Sequence, residues 1–122
     1  RQVFSIVGDG GALMTGSELA TAVAQKAKIR VIIANNQHYG TIRYHQEVHF
    51  PTRNHYATNL VNPDFAKYGE SFGLQCFTIN EVEDIIPTIQ KAMEVDGPSL
   101  IEFKMSLELN TSTTTISQLQ MK

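Results

Sequence analysis

Apolar and polar residues fall in blocks along this chain, and the length and period of each block separate strands from helices. Val3-Phe4-Ser5-Ile6-Val7 is a short apolar run that stops at Gly8-Asp9-Gly10-Gly11. A run of that length bounded by glycines predicts a buried parallel strand. A helical pattern follows, in which Leu19, Ala22, Val23 and Ala27 share one face. Gln25, Lys26 and Lys28 gather at its end, where cations suit a helix C-terminus. Thr15-Gly16-Ser17-Glu18 matches a capping box at its start, with the Thr15 hydroxyl serving the N–H three residues on and Glu18 reaching back. Arg30-Val31-Ile32-Ile33-Ala34 is a second buried strand, closed by Asn35-Asn36. Strand, helix and strand make a βαβ unit, whose crossover is right-handed.

Residues 37–62 break this rhythm. They are rich in His, Tyr and Thr and are interrupted by Pro51, and the stretch in them with helical character is 40–46. Asn62-Pro63-Asp64 predicts a helix start with an Asn cap and Pro at the first helical position; Phe65, Tyr68 and Phe72 form its stripe and Gly73 ends it. Residues 74–79 predict a third strand. Asn80 and Glu83 are placed to cap the next helix, where Ile85, Ile89 and Met93 share a face and Pro87 bends the first turn. Gly97-Pro98 stops that helix, and residues 99–104 predict a fourth strand. The expected fold is therefore α/β: a mostly parallel sheet of at least four strands with helices on both faces. Residues 1–106 form the expected domain. Residues 107–122 are an expected tail, with too little apolar content to build much, that reads as a linker or loose end.

Composition narrows the function classes. At 122 residues the chain holds at most one domain, with room for a real core. Ten Lys+Arg against twelve Asp+Glu, without a basic stripe, argue against nucleic-acid binding. The apolar runs are strand-sized and no signal-peptide pattern is present, so no membrane partner is expected. The single Cys76 can form no internal disulfide, which fits a reducing, cytoplasmic setting. The chain enters a strand directly after Arg1-Gln2, as a piece of a longer protein would.

In a parallel sheet ligands bind at the carboxyl ends of the strands. Gly8-Asp9-Gly10-Gly11 and Asn35-Asn36 both lie at such ends. A Gly-rich turn alone serves many α/β domains merely to turn the chain, and this one matches neither a P-loop nor G-x-G-x-x-G. No cation lies between Gly8 and Lys26, and the carboxylate of Asp9 would repel a phosphate unless a divalent metal stood between them. Mg²⁺ suits the oxygen donors on offer: the Asp9 carboxylate, the Asn36 amide, and a backbone carbonyl within Gln37-His38-Tyr39-Gly40, with room left for phosphate oxygens and water. The pattern reads as a Mg²⁺–diphosphate site.

These residues carry a family resemblance. Gly8-Asp9-Gly10 and Asn35-Asn36, with Asn36 27 positions after Asp9, resemble the diphosphate-binding motif of thiamine diphosphate-dependent enzymes. Glu18-Leu19-Ala20-Thr21-Ala22-Val23, Tyr39-Gly40-Thr41-Ile42-Arg43, Asn62-Pro63-Asp64-Phe65-Ala66 and Gly97-Pro98-Ser99-Leu100-Ile101-Glu102 extend the resemblance to the C-terminal cofactor domain of acetolactate synthase-like proteins. It implies metal ligation by Asp9, Asn36 and the His38 main-chain carbonyl. It also implies contact of Gly10, Gly11, Tyr39 and Gly40 with the diphosphate, largely through backbone N–H groups. The implied enzyme decarboxylates a 2-oxo acid and transfers or releases the fragment, as a lyase or transferase; another decarboxylase or carboligase of the family is an alternative. A non-catalytic nucleotide-binding or assembly module is a third. The resemblance further implies a strand, helix and loop ahead of Arg1, an activating acidic residue from another domain, and assembly into a homodimer or homotetramer. The piece alone is expected to be inactive, with no catalytic residue of its own.

Other residues have plainer expectations. His45-Gln46-Glu47-Val48-His49 pairs two His at i, i+4 but is not H-E-x-x-H, and is expected to be a solvated loop. Cys76 is expected as a small buried hydrophobe, Phe65, Tyr68 and Phe72 as core, Arg43 in a surface salt bridge, and Lys26 and Lys28 at an exposed helix end.

Overall fold

The computed structural model describes residues 1–50, 55–111 and 114–120, so the break expected at Pro51 lies outside the described residues. Four strands, β1 (Val3–Gly8), β2 (Ile29–Asn35), β3 (Gln75–Ile79) and β4 (Ser99–Lys104), form one sheet in the order β1-β2-β4-β3, with every pairing parallel. The helices are α1 (Asp9–Thr15), α2 (Leu19–Ala24), α3 (Gly40–His49), α4 (Phe65–Ser71), α5 (Ile85–Glu94) and α6 (Ile116–Gln120). The expected α/β fold is present.

Alternation along the strands divides the core into two layers. Ile33 and Leu100 pack with Ala12 of α1, Leu19 of α2 and Phe65 of α4 on one face. Ile101 and Ile79 pack with Ala92 of α5 on the other, joined by Ile85 and Ile89. Arg30, fully buried in β2, reaches the end of α5, where its guanidinium donates to the carbonyls of Met93, Val95 and Gly97. A cation there also opposes the negative end of the helix dipole.

Several local expectations are corrected. β1 is an edge strand rather than a buried one: α5 covers β3 and β4, which leaves Phe4 and Ile6 exposed, Ile6 by 75%. No capping box forms at Thr15, because the helix has already begun at Asp9 inside the glycine turn; Gly16–Glu18 is a 3-10 turn leading into α2. α4 is capped by Asp64, whose carboxylate accepts the Lys67 N–H at 3.0 Å, and not by Asn62. Neither Asn80 nor Glu83 caps α5, which is entered through a 3-10 turn at Val82–Asp84. Past β4 the chain is also more ordered than its composition suggested. Leu109–Thr111 and Thr114–Thr115 form a small antiparallel ladder, and α6 buries Ile116 and Leu119. It lies against α3, where Gln120 Nε2 donates to Glu47 Oε1 at 3.2 Å.

Candidate functional site

Because Gly8 pairs with Ala34, the loops leaving β1 and β2 emerge side by side. Asp9 opens α1 and is only 2% exposed. Its Oδ1 accepts the Gly10 N–H at 2.9 Å, and its Oδ2 accepts both the Gln37 N–H and the Asn62 side-chain amide at 2.7 Å. One carboxylate thus ties the glycine turn, the asparagine loop and the segment before α4 together.

The asparagine loop is held by its own side chains. Asn35 Oδ1 accepts the Gln37 N–H at 3.2 Å and Asn36 Oδ1 accepts the His38 N–H at 3.2 Å, two successive side-chain turns. Gln37 has a φ of +58°, a left-handed backbone that costs a non-glycine residue about 1 kcal/mol or more. Its N–H and C=O are both engaged, the carbonyl by the Leu60 N–H at 2.8 Å, while Tyr39 N–H donates to Thr58 O at 2.8 Å. The returning segment 58–60 therefore pins the turn. Arg43 and His38 lock it from the other side. Arg43 can only donate, so His38 Nε2 accepts from it at 2.7 Å and Nδ1 carries the proton toward Gln37 O at 2.6 Å.

Between the loops lies a pocket of about 260 Å³, lined by residues 8–11 and 38–42. Asp9, Gly10, Gly11, His38, Tyr39 and Gly40, six of the expected cofactor residues, line it together; Asn36 lies outside the lining, with its Nδ2 donating to Leu109 O at 3.3 Å. The first turn of α3, at Gly40, Thr41 and Ile42, borders the space, and first-turn N–H groups have no acceptor within their own helix. Gly10 sits beneath Tyr39, where an added Cβ would come 2.5 Å from the ring Cε1. The lining offers oxygen donors, the buried Asp9 carboxylate with main-chain carbonyls, beside the first-turn N–H groups of α3, and fits a hard cation with an anionic ligand.

The remaining candidates fall elsewhere. His45 and His49 are helical rather than in a loop: both lie on α3, solvent-exposed, with rings stacked at 5.8 Å. Arg43 is buried, not on the surface, and pairs with the buried Glu47 at 3.6 Å. Cys76 packs against α4 at Gly69, and burial pushes its thiol up to about 11 with help from the Glu70 charge, so it is no nucleophile. Phe65, Tyr68 and Phe72 form an edge-to-face core ladder, as expected. No described helix is long and apolar enough to cross a membrane.

Comparison with known proteins gives the family of the chain. The model of the thiamine pyrophosphate enzyme, C-terminal TPP binding domain, family matches residues 1–103. The chain belongs to this family. Thiamine pyrophosphate and thiamine diphosphate are the same cofactor, so the resemblance carried by Gly8-Asp9-Gly10 and Asn35-Asn36 holds. The chain is 35% identical over 111 residues to 3D-(3,5/4)-trihydroxycyclohexane-1,2-dione hydrolase of Bacillus subtilis, covering 86% of this chain and 17% of the relative. It is 34% identical over 109 residues to the acetolactate synthase large subunit of Corynebacterium glutamicum, covering 84% and 17%. The Rhodococcus jostii RHA1 thiamine diphosphate-dependent 4-hydroxybenzoylformate decarboxylase superposes with a TM-score of 0.80 at 28% identity, over 87% of this chain and 20% of that one. The chain thus spans about a fifth of the length of these relatives.

Two residues that the sequence did not connect to Asp9, Asn62 and Glu102, join its hydrogen-bond network through Asn35. Asn62 is expected as a helix cap, and Glu102 lies within the predicted fourth strand. The Asn35 amide donates to Glu102 Oε1 at 2.7 Å, and Glu102 is 3% exposed. A carboxylate set among Leu100, Ile101 and Phe103 of β4 was the available signal.

Proposed function

We propose that this domain anchors Mg²⁺ and thiamine diphosphate in an enzyme that decarboxylates a 2-oxo acid and transfers or releases the remaining fragment, in the manner of acetolactate synthase. The observation that carries this reading is the buried Asp9 carboxylate set between a glycine turn and the first turn of α3. Asp9, Asn36 and the His38 carbonyl would hold the metal, and Gly10, Gly11, Tyr39 and Gly40 the diphosphate. When bound, the cofactor supplies a nucleophilic thiazolium carbon and an electron sink for the electrons left by CO₂ loss. The chain's own part is to bind and orient: Asp9 would give the metal an anionic ligand, the N–H groups opening α3 would donate to anionic oxygens, and the Arg43–His38 lock holds the loop that carries the His38 carbonyl.

Assembly belongs to the same reading. A bare β1 edge with exposed Phe4 and Ile6 suits further sheet from the same chain, and an active site completed by another domain calls for at least a homodimer. The alternative of a related decarboxylase or carboligase keeps the same anchor. CO₂ release by the complete protein, with pyruvate set against an aryl 2-oxo acid, tests the reaction. Acetolactate formed from pyruvate supports the synthase reading; turnover of the aryl acid alone replaces it with the decarboxylase. Metal-dependent cofactor binding without turnover of any 2-oxo acid removes the catalytic assignment.

A further inference from the structure

Behind the pocket, a second polar hollow lies at the carboxyl ends of β2, β3 and β4, lined in part by Asn35, Asn62, Thr78, Glu102 and Lys104. Three of these side chains form a continuous hydrogen-bonded chain to Asp9. Glu102 Oε1 accepts from Asn35 Nδ2 at 2.7 Å, Asn35 Oδ1 accepts from Asn62 Nδ2 at 2.8 Å, and Asn62 Nδ2 also donates to Asp9 Oδ2 at 2.7 Å. We infer that Asn62 is a positioning residue for Asp9, its amide orientation fixed through Asn35 by Glu102, so that Asp9 presents Oδ1 and not Oδ2 to a divalent cation. The inference rests on the Mg²⁺ reading of the site and adds the residues that aim its carboxylate.

A carboxylate only accepts, so Glu102 dictates which end of the Asn35 amide faces it, and the Asn35 oxygen is left facing Asn62. Asn62 then stands between two acceptors, Asn35 Oδ1 and Asp9 Oδ2, and gives both hydrogens of one NH₂ group to them. Its own Oδ1 is buried with no hydrogen-bond partner among the described residues. An amide flip would satisfy that oxygen no better and would set it against two other oxygens. On Asp9, Oδ2 accepts twice and Oδ1 once, so the open lone pair lies on Oδ1. Asn62 is released from helix capping because Asp64 performs it.

The test is Mn²⁺ binding by the complete protein in the presence of thiamine diphosphate, followed by the electron paramagnetic resonance signal of free Mn²⁺. Asn62→Ala is expected to weaken Mn²⁺ binding about 10–100-fold, the range found when an outer partner of a metal ligand is lost. Turnover should recover as Mg²⁺ is raised, so the defect lies in the metal concentration required. Asn62→Ser, which keeps one donor, should fall between. Glu102→Gln, whose amide oxygen still accepts from Asn35, should bind near the wild-type level, and Glu102→Leu should not; this pair decides the matter if Asn62→Ala fails to fold. Unchanged Mn²⁺ affinity in folded Asn62→Ala, or in Glu102→Leu, overturns the inference. A wild-type protein that binds no Mn²⁺ with the cofactor instead overturns the Mg²⁺ reading and the inference with it, a result distinct from tight binding by both proteins.

Discussion

Two sets of carboxylates in this domain make the same kind of contact with opposite consequences. Asp64 accepts the Lys67 N–H and Glu108 accepts the Ser117 N–H and hydroxyl, both carboxylates on exposed residues. Asp9 and Glu102 accept from the Gly10 and Gln37 N–H groups and the Asn62 and Asn35 amides, at 2% and 3% exposure. Water replaces a lost partner in the first set and cannot in the second, where an orphaned donor bears its full desolvation cost. The difference shows where geometry is enforced. Surface carboxylates trim the ends of elements, while buried ones fix the relative placement of three separate segments at one end of the sheet.

The comparison is broken most directly at Asp9. Asp9→Ala removes the acceptor of the Gly10 N–H and of one Asn62 amide hydrogen and leaves the Gln37 N–H only its longer bond to Asn35 Oδ1, at about 2–5 kcal/mol. It should also abolish Mg²⁺-dependent retention of thiamine diphosphate, as read by gel filtration of the loaded complete protein. Normal retention would remove Asp9 from the metal site. A pair of glycines gives the next largest effect. Gly10→Ala must displace the Tyr39 ring, whose Cε1 and Cδ1 lie 2.5 and 2.7 Å from the new Cβ, and should cost about 1–3 kcal/mol and weaken cofactor binding. At Gly8 nothing described lies within 4 Å of such a Cβ, and Gly8→Ala should stay within about 0.5 kcal/mol by thermal unfolding. Equal effects at the two positions would contradict the close fit of Tyr39 over Gly10.

The smallest effect belongs to the exposed set. The Lys67 N–H holds the Asp64 carboxyl below its usual 3.8, and the Ser117 hydroxyl does the same for Glu108 below 4.5. A carboxyl whose value is depressed on folding stabilises the fold above its ordinary value, and that contribution is lost as pH falls through the depressed one. Asp64→Asn and Glu108→Gln should therefore lower the melting temperature slightly at pH 7, by an amount that shrinks as the pH falls below 3.8 and 4.5 respectively. A loss that persists in acid would assign these side chains a role other than charge.

How far the sequence could be read follows the same division. Strands with apolar runs and helices with one apolar stripe were visible, because burial of a face imposes a period of 2 or 3.6 on local sequence. The two loops of the site were visible too, since glycine turns and paired asparagines at strand ends are local features. What escaped needed tertiary context. Asn62 precedes a proline and a helix and satisfies every local rule for a cap, but Asp64 takes that role and Asn62 turns to a carboxylate 53 positions away. Val3-Phe4-Ser5-Ile6-Val7 has the composition of a central strand but lies at the sheet edge, which only the strand order reveals. Ile116 and Leu119 were too few to mark a helix, and are buried because α3 offers them a face.

The central claim is that Asp9 and its neighbours form a metal-dependent anchor for a diphosphate. The most direct measurement is calorimetric titration of thiamine diphosphate into the complete protein, first with Mg²⁺ and then with EDTA, beside the Asn36→Ala variant. The account predicts a saturable heat with Mg²⁺ that disappears with EDTA and is strongly weakened in the variant. Binding that is indifferent to both the metal and Asn36, or no binding under any condition, would contradict it.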